Sequence, residues 1–143
     1  MGISRFNTVS SSPEETIAAG ERIAQMLQGG SVVALRGGLG AGKTYLTKGI
    51  ARGLGVQEEI TSPTYMIISE YQGRLPFYHI DAYRLQGDDD FSNLGGEELL
   101  YGTGVSVIEW SERLPHSIPK DAIIVEITIL EQGRRRIQIK DTR

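Results

Sequence analysis

The chain has 143 residues, 39% of them hydrophobic, a formal net charge of −3 and no cysteine. That length supports one core and points to a single domain over residues 1–143. The composition excludes disulfides, thiolate metal sites and thiol nucleophiles, and the negative balance argues against holding nucleic acid by bulk electrostatics. No stretch reaches the roughly 18 apolar residues of a membrane helix, and the opening residues lack the apolar run of a signal peptide. The expectation is a soluble, cytoplasmic protein.

The first element predicted along the chain is a helix over "SSPEETIAAGERIAQMLQGG". Ser12 is placed as its N-cap, Pro13 at its first position and Glu15 to complete a capping box. Ile17, Ile23 and Leu27 share one face, and Gly29 is the expected stop. "SVVALR" then reads as a strand buried on both sides, followed by a glycine-rich loop and a second helix on which Leu46, Ile50 and Leu54 recur every four residues. "TYMIISEY" and "LPFYHI" flank "QGR" and predict a hairpin. "GDDDFSNLGGEELLYG" reads as loop with one or two short helices, "GVSVIEW" as a buried strand, and "AIIVEITIL" with "RRRIQIK" as a terminal hairpin around a second "QGR". The sum is an α/β fold: a P-loop NTPase domain with a mixed, mostly parallel sheet flanked by helices, with β-hairpins.

Residues 37–44, "GGLGAGKT", satisfy the phosphate-loop pattern G-x-x-x-x-G-K-S/T. Glycines allow successive backbone N–H groups to turn inward on phosphate oxygens, and the following helix points its positive end at the same charge. Gly38, Leu39, Gly40, Ala41, Gly42 and Tyr45 frame the nucleotide site. Within it, Lys43 is placed to reach the β- and γ-phosphates and Thr44 to offer its hydroxyl to Mg²⁺.

Such a site needs a carboxylate at the end of a neighbouring strand. Asp81 follows "LPFYHI" and Glu109 follows "GVSVI", so both qualify. Glu109 is favoured on the metal side and Asp81 for orienting water, Mg²⁺ ligands or Lys43, although the residues alone do not separate these roles. In "TSPTYM", Pro63 restricts the chain and Thr64 is a candidate γ-phosphate sensor, against the alternative of an ordinary hydroxyl-rich turn. His79 reads as a packed or hydrogen-bonded core histidine. Trp110, the only tryptophan, either caps the core or meets a partner or nucleotide. The cluster Arg134 to Arg136 is a solvated turn or a contact for phosphate or an acidic partner.

Four motifs in order, "GGLGAGKT", "TSPTY", "YHIDAYRL" and "VIEWSERLP", together with the opening helix, resemble a known family. It is the small bacterial P-loop ATPases of tRNA threonylcarbamoyladenosine biosynthesis, TsaE, also called the YjeE family. The resemblance implies binding of ATP or ADP with Mg²⁺, slow ATP hydrolysis, and action with the TsaB and TsaD proteins, with tRNA contacted indirectly. It implies that Lys43 meets phosphates, that Thr44 and Glu109 hold Mg²⁺, and that Thr64 belongs to a switch-like segment and Asp81 to the catalytic carboxylates. It also implies that Trp110 serves activity or partner coupling, and that the turn at Ser12 and Pro13 lies near the adenine. Arg134 is taken as a further coupling residue. Ser111 departs from the proline that many relatives carry after the tryptophan, and "DDDFSNLGG" departs from a more Glu- and Leu-rich helix.

Two other readings share the P-loop. A small kinase must close a lid over two substrates, for which the chain has little material. A non-hydrolysing nucleotide switch would use ATP only to set the affinity for a partner. A GTPase is set aside because the guanine-reading N-K-x-D segment is absent.

Overall fold

In the computed structural model, residues 6–38, 41–60 and 67–140 are described. The elements run β1 (Asn7–Ser10), α1 (Pro13–Ala24), β2 (Val32–Arg36), α2 (Lys43–Gly53), β3 (Ile68–Gln72), β4 (Pro76–Asp81), α3 (Asp88–Asn93), α4 (Gly96–Leu100), β5 (Val105–Glu109), β6 (Ile123–Ile129) and β7 (Arg135–Lys140). All seven strands join one sheet in the order β1-β7-β6-β2-β5-β4-β3. At its centre β6, β2, β5 and β4 pair in parallel, whereas β3 and β7 run against their neighbours. The architecture is therefore the α/β fold expected, with a mixed, mostly parallel sheet and a hairpin at each flank.

The predicted helix start is observed. Ser12 Oγ accepts from the Glu15 N–H at 3.1 Å, and the Glu15 carboxylate accepts from the Ser11 N–H at 2.7 Å. The reciprocal half of the box thus lands one residue before the cap. Gly29 does not end α1, which stops at Ala24 with Gln25 as its C-cap. Successive three-residue turns carry the chain on to Leu27, so the apolar period outlasts the helix. Strand β1 lies outside the predicted elements. It is short and polar, with no apolar alternation of its own, and takes its extended form by pairing with the edge of β7, Thr8 opposite Ile137.

Both faces of the parallel centre are covered. On one, Val33, Leu35, Phe77, Val105 and Val107 pack under α1 and α2. On the other, Val32, Ile80 and Ile108 pack with Leu85, Phe91, Leu100 and Leu114 around α3 and α4. Burial on both sides explains why β2 and β5 read as continuous apolar runs. Helices α1 and α2 touch at backbone distance: a Cβ on Gly20 would meet the Leu46 carbonyl, and one on Gly49 would meet the Ile17 carbonyl. Only glycine permits that approach. Where "GDDDFSNLGGEELLYG" is expected to hold one or two short helices there are two, α3 and α4, and Asp88 ties the first to the loop after β5 by accepting from the Ser117 hydroxyl at 2.6 Å. Among the described residues no helix is long and apolar enough to cross a membrane.

Candidate functional site

The glycine-rich loop leaves the end of β2, with β5 on one side and β6 on the other. This is the carboxyl edge of a parallel sheet, where open α/β folds place their ligands. Gly42 caps α2 at φ 103°, a left-handed conformation suited to glycine, and so turns the loop into the helix's first N–H groups. Gly37 is pressed against the Ile127 carbonyl, whereas Gly38 has open space where a side chain would stand. Leu39 and Gly40 lie outside the described residues, as does Thr64. Thr44, half-buried, stands at the second position of α2.

Lys43 is buried, with 6% exposure, yet it is a cation. Its Nζ donates to the Gly37 carbonyl at 2.8 Å and lies 3.4 Å from the centroid of the Trp110 ring. Burial pushes its pKa below the ordinary lysine value, and the negative field of Glu109, Glu112 and Asp81 opposes that shift. Trp110 in turn packs on Tyr83, with centroids 4.9 Å apart, and the Arg113 guanidinium sits 5.0 Å above the Tyr83 ring. The backbone at Trp110 is left-handed, φ 60° and ψ 40°, which costs a non-glycine residue on the order of 1–2 kcal/mol. The conformation follows directly on the strand end and turns the indole over the phosphate loop. The hydroxyl of Ser111, buried just beyond, donates to the Leu35 carbonyl at 3.3 Å, a bond that a proline there could not make.

The two strand-end carboxylates are brought together. β4 and β5 are parallel neighbours in a register that sets Asp81 opposite Glu109. Asp81 Oδ1 accepts from the Tyr83 N–H at 3.0 Å and so caps the turn that follows β4. Glu109 is buried, and its Oε2 accepts from His79 Nε2 at 2.5 Å. His79 itself is fully buried, and its Nδ1 has no hydrogen-bond partner among the described residues. A buried unsatisfied polar atom costs on the order of 1–3 kcal/mol. The expected hydrogen-bonded core histidine is thus observed, but only half satisfied, and its one bond goes to the site.

On the opposite side of the loop lies an open hollow of about 100 Å³, lined among others by Ser12, Pro13, Thr16, Gly42, Tyr45 and Arg135. Ser12 and Pro13 therefore stand where the start of α1 meets the start of α2, next to the phosphate loop. Arg134 does not reach it: exposed at the β6–β7 turn, its guanidinium Nε donates to the Glu131 carbonyl at 3.3 Å and closes its own turn. Arg135 is the residue of that cluster that reaches the loop, donating from Nε to the Ala41 carbonyl at 3.2 Å. Sequence reading singled out the basic cluster but not which arginine faces inward. Strand alternation alone leaves that open until the register of β7 is known.

The arrangement fits a nucleotide with a magnesium ion. Such ions are held by one or two oxygen ligands from the protein and completed by phosphates and water, so a hydroxyl at Thr44 and the carboxylate at Glu109 suffice. Among the described residues no group of three or more His, Cys, Asp or Glu side chains forms a metal site of its own.

Residues 10–137 match the sequence family described as Threonylcarbamoyl adenosine biosynthesis protein TsaE. The chain belongs to the TsaE family. The "tRNA threonylcarbamoyladenosine biosynthesis protein TsaE" of Treponema pallidum is 47% identical over 131 residues, covering 92% of this chain and 97% of that protein. The protein of the same name from Bacillus subtilis is 40% identical over 134 residues, covering 93% and 82%. Among solved structures, the crystal structure of Bacillus subtilis YdiB superposes with a TM-score of 0.79 at 35% identity, over 97% of this chain and 86% of that one. The family's role is in the biosynthesis of threonylcarbamoyladenosine on tRNA, and its ATP-binding P-loop character agrees with the loop described above.

Proposed function

We propose that this TsaE-family chain binds ATP with Mg²⁺, hydrolyses it slowly, and thereby resets a larger complex of TsaB and TsaD proteins in the cytoplasm. That complex carries the threonylcarbamoyl modification of tRNA. The observation that carries the reading is the convergence on one sheet edge of the phosphate-loop Lys43 with Asp81 and Glu109, set side by side by the β4–β5 register. Lys43 binds phosphate oxygens, and Asp81 orients water or the ligands around the metal. Thr44 and Glu109 hold the ion, which supplies positive charge to the phosphates. Trp110 lies directly on Lys43, so a phosphate that draws Lys43 away from Gly37 also disturbs the indole and the Tyr83 surface behind it. That gives nucleotide state a route to a partner-facing surface. Arg134, on its exposed turn, is a second candidate for partner contact. The base would occupy the hollow beside Ser12, Pro13 and Tyr45.

Reconstitution of tRNA modification with and without this chain tests the proposal. Turnover by the partner proteins should depend on this chain and on hydrolysable ATP. Undiminished turnover in its absence would remove the assigned role. Equal support by a non-hydrolysable analogue would instead favour a switch that does not hydrolyse, and phosphoryl transfer to a small acceptor by the isolated chain would favour a kinase.

A further inference from the structure

The fully buried His79 has been described above only as a neighbour of Glu109. Its place in the fold is specific. It lies on β4 opposite Val107, two residues before Asp81, and reaches diagonally along β5 to the carboxylate of Glu109. The bond is made from Nε2, so that nitrogen carries the proton, since a carboxylate can only accept. The other ring nitrogen, Nδ1, is buried and has no partner among the described residues. A histidine kept for packing would be replaced with advantage by an aliphatic side chain, because a second ring nitrogen buried with no partner among the described residues is a net penalty. The penalty is tolerated for the one donor that meets Glu109.

The other strand-end carboxylate needs no such support. Asp81 is held by a backbone N–H, through the turn that follows it. Glu109 has a longer side chain, is followed by the left-handed Trp110 in place of an N–H turn of its own, and accepts one hydrogen bond, the one from His79. Its other oxygen, Oε1, accepts none among the described residues.

We propose that His79 is a positioning residue: by donating from Nε2 to Oε2 it fixes the rotamer of Glu109 and leaves Oε1 to a divalent cation at the phosphate loop. The inference rests on the reading of Glu109 as a metal ligand given above. Hydrogen-bonded support of this kind is worth about 10- to 100-fold in metal affinity where a ligating carboxylate or histidine loses it.

The experiment measures Mn²⁺ binding to the full chain saturated with ADP, from the electron paramagnetic resonance signal of free Mn²⁺, with metal-free ADP binding and the melting temperature as companions. The variants are His79→Leu, His79→Asn, His79→Gln and Glu109→Gln. Glutamine places an N–H donor near the position of Nε2, whereas the asparagine amide falls short of Glu109. His79→Leu and His79→Asn are expected to weaken Mn²⁺ binding by about 10-fold or more while leaving metal-free ADP affinity unchanged, and His79→Gln to recover most of the loss. Asparagine serves in place of leucine if the latter does not fold. Wild-type Mn²⁺ affinity in the leucine and asparagine variants overturns the inference, as does equal weakening in all three that follows only their melting temperatures. If Glu109→Gln itself leaves Mn²⁺ affinity unchanged, the metal reading of Glu109 falls, and the inference with it.

Discussion

The phosphate loop has two unlike flanks. Toward β6 and β7 it is held through backbone: Gly37 against the Ile127 carbonyl, the Ala41 carbonyl accepting from the Arg135 guanidinium, and a hollow walled by the starts of α1 and α2. Toward β5 and β4 the contacts that meet the site involve charges and aromatic faces: Lys43 on Trp110, Glu109 on His79, Asp81 on its turn. The first flank carries shape and the second carries chemistry. The difference teaches that a loop with a fixed residue pattern becomes specific through what the neighbouring strands set beside it.

If that division holds, the largest effect should come from the β5–β4 flank. Lys43→Ala is expected to lower ATP turnover by on the order of 100-fold or more, as removal of a donor aimed at developing negative charge does, measured by phosphate release at saturating Mg²⁺. Glu109→Ala should reduce Mg²⁺-dependent turnover by more than it reduces ADP binding in EDTA. Full activity in both variants would erase the distinction between the flanks. Next in size, Arg135→Ala on the β6–β7 flank should weaken ADP binding about fivefold, the worth of roughly one hydrogen bond, with little change in kcat. A loss confined to kcat would place Arg135 with the chemistry instead.

Trp110→Gly sharpens the comparison from the other side. Glycine accepts φ 60° without strain and removes an aromatic contact to Lys43 worth about 0.5–2 kcal/mol. Calorimetry should therefore show ADP bound a few-fold more tightly, with the coupling of nucleotide to partner proteins lost. Unchanged ADP affinity would mean that Lys43 does not have to leave the indole.

The smallest effect expected is a pH dependence of the nucleotide-free protein. Burial lowers the Lys43 pKa in the folded state relative to its unfolded value near 10.5. Between the lowered folded value and 10.5 the unfolded chain holds more protons, so the contribution of Lys43 to stability rises with pH across that window and is flat below it. Urea midpoints of wild type and Lys43→Met, compared from neutral pH upward, should show the wild type gaining on the variant. A gap that stays constant would show that the ammonium is not desolvated.

What could be read from the residues alone followed the range of the interaction. The α1 start was legible because Ser12 and Glu15 act within one turn, and the phosphate loop because its residues are contiguous. Both hairpins were legible from apolar runs around "QGR", where Gln132 and Gly133 adopt positive φ in the second. The pairing of His79 with Glu109 was not, because it spans 30 residues and depends on β4 and β5 being neighbours in one register. The same holds for Arg135, whose inward face is fixed by β6 and β1 together. β1 carried no signal of its own, because a polar edge strand takes its form from its partner. The site was thus visible as a set of candidate groups, and the sheet topology supplied which of them meet.

The backbone contact between Gly20 and Gly49 has a consequence for which ligands can be admitted. It locks α1 onto α2 like the jaws of a calliper, and the starts of those two helices bear the walls of the hollow. The gap between the jaws cannot then be adjusted by sliding one helix along the other. The bulk of whatever sits beside Tyr45 is gauged from some distance away, by hydrogen atoms at two positions where any methyl group would force the jaws apart.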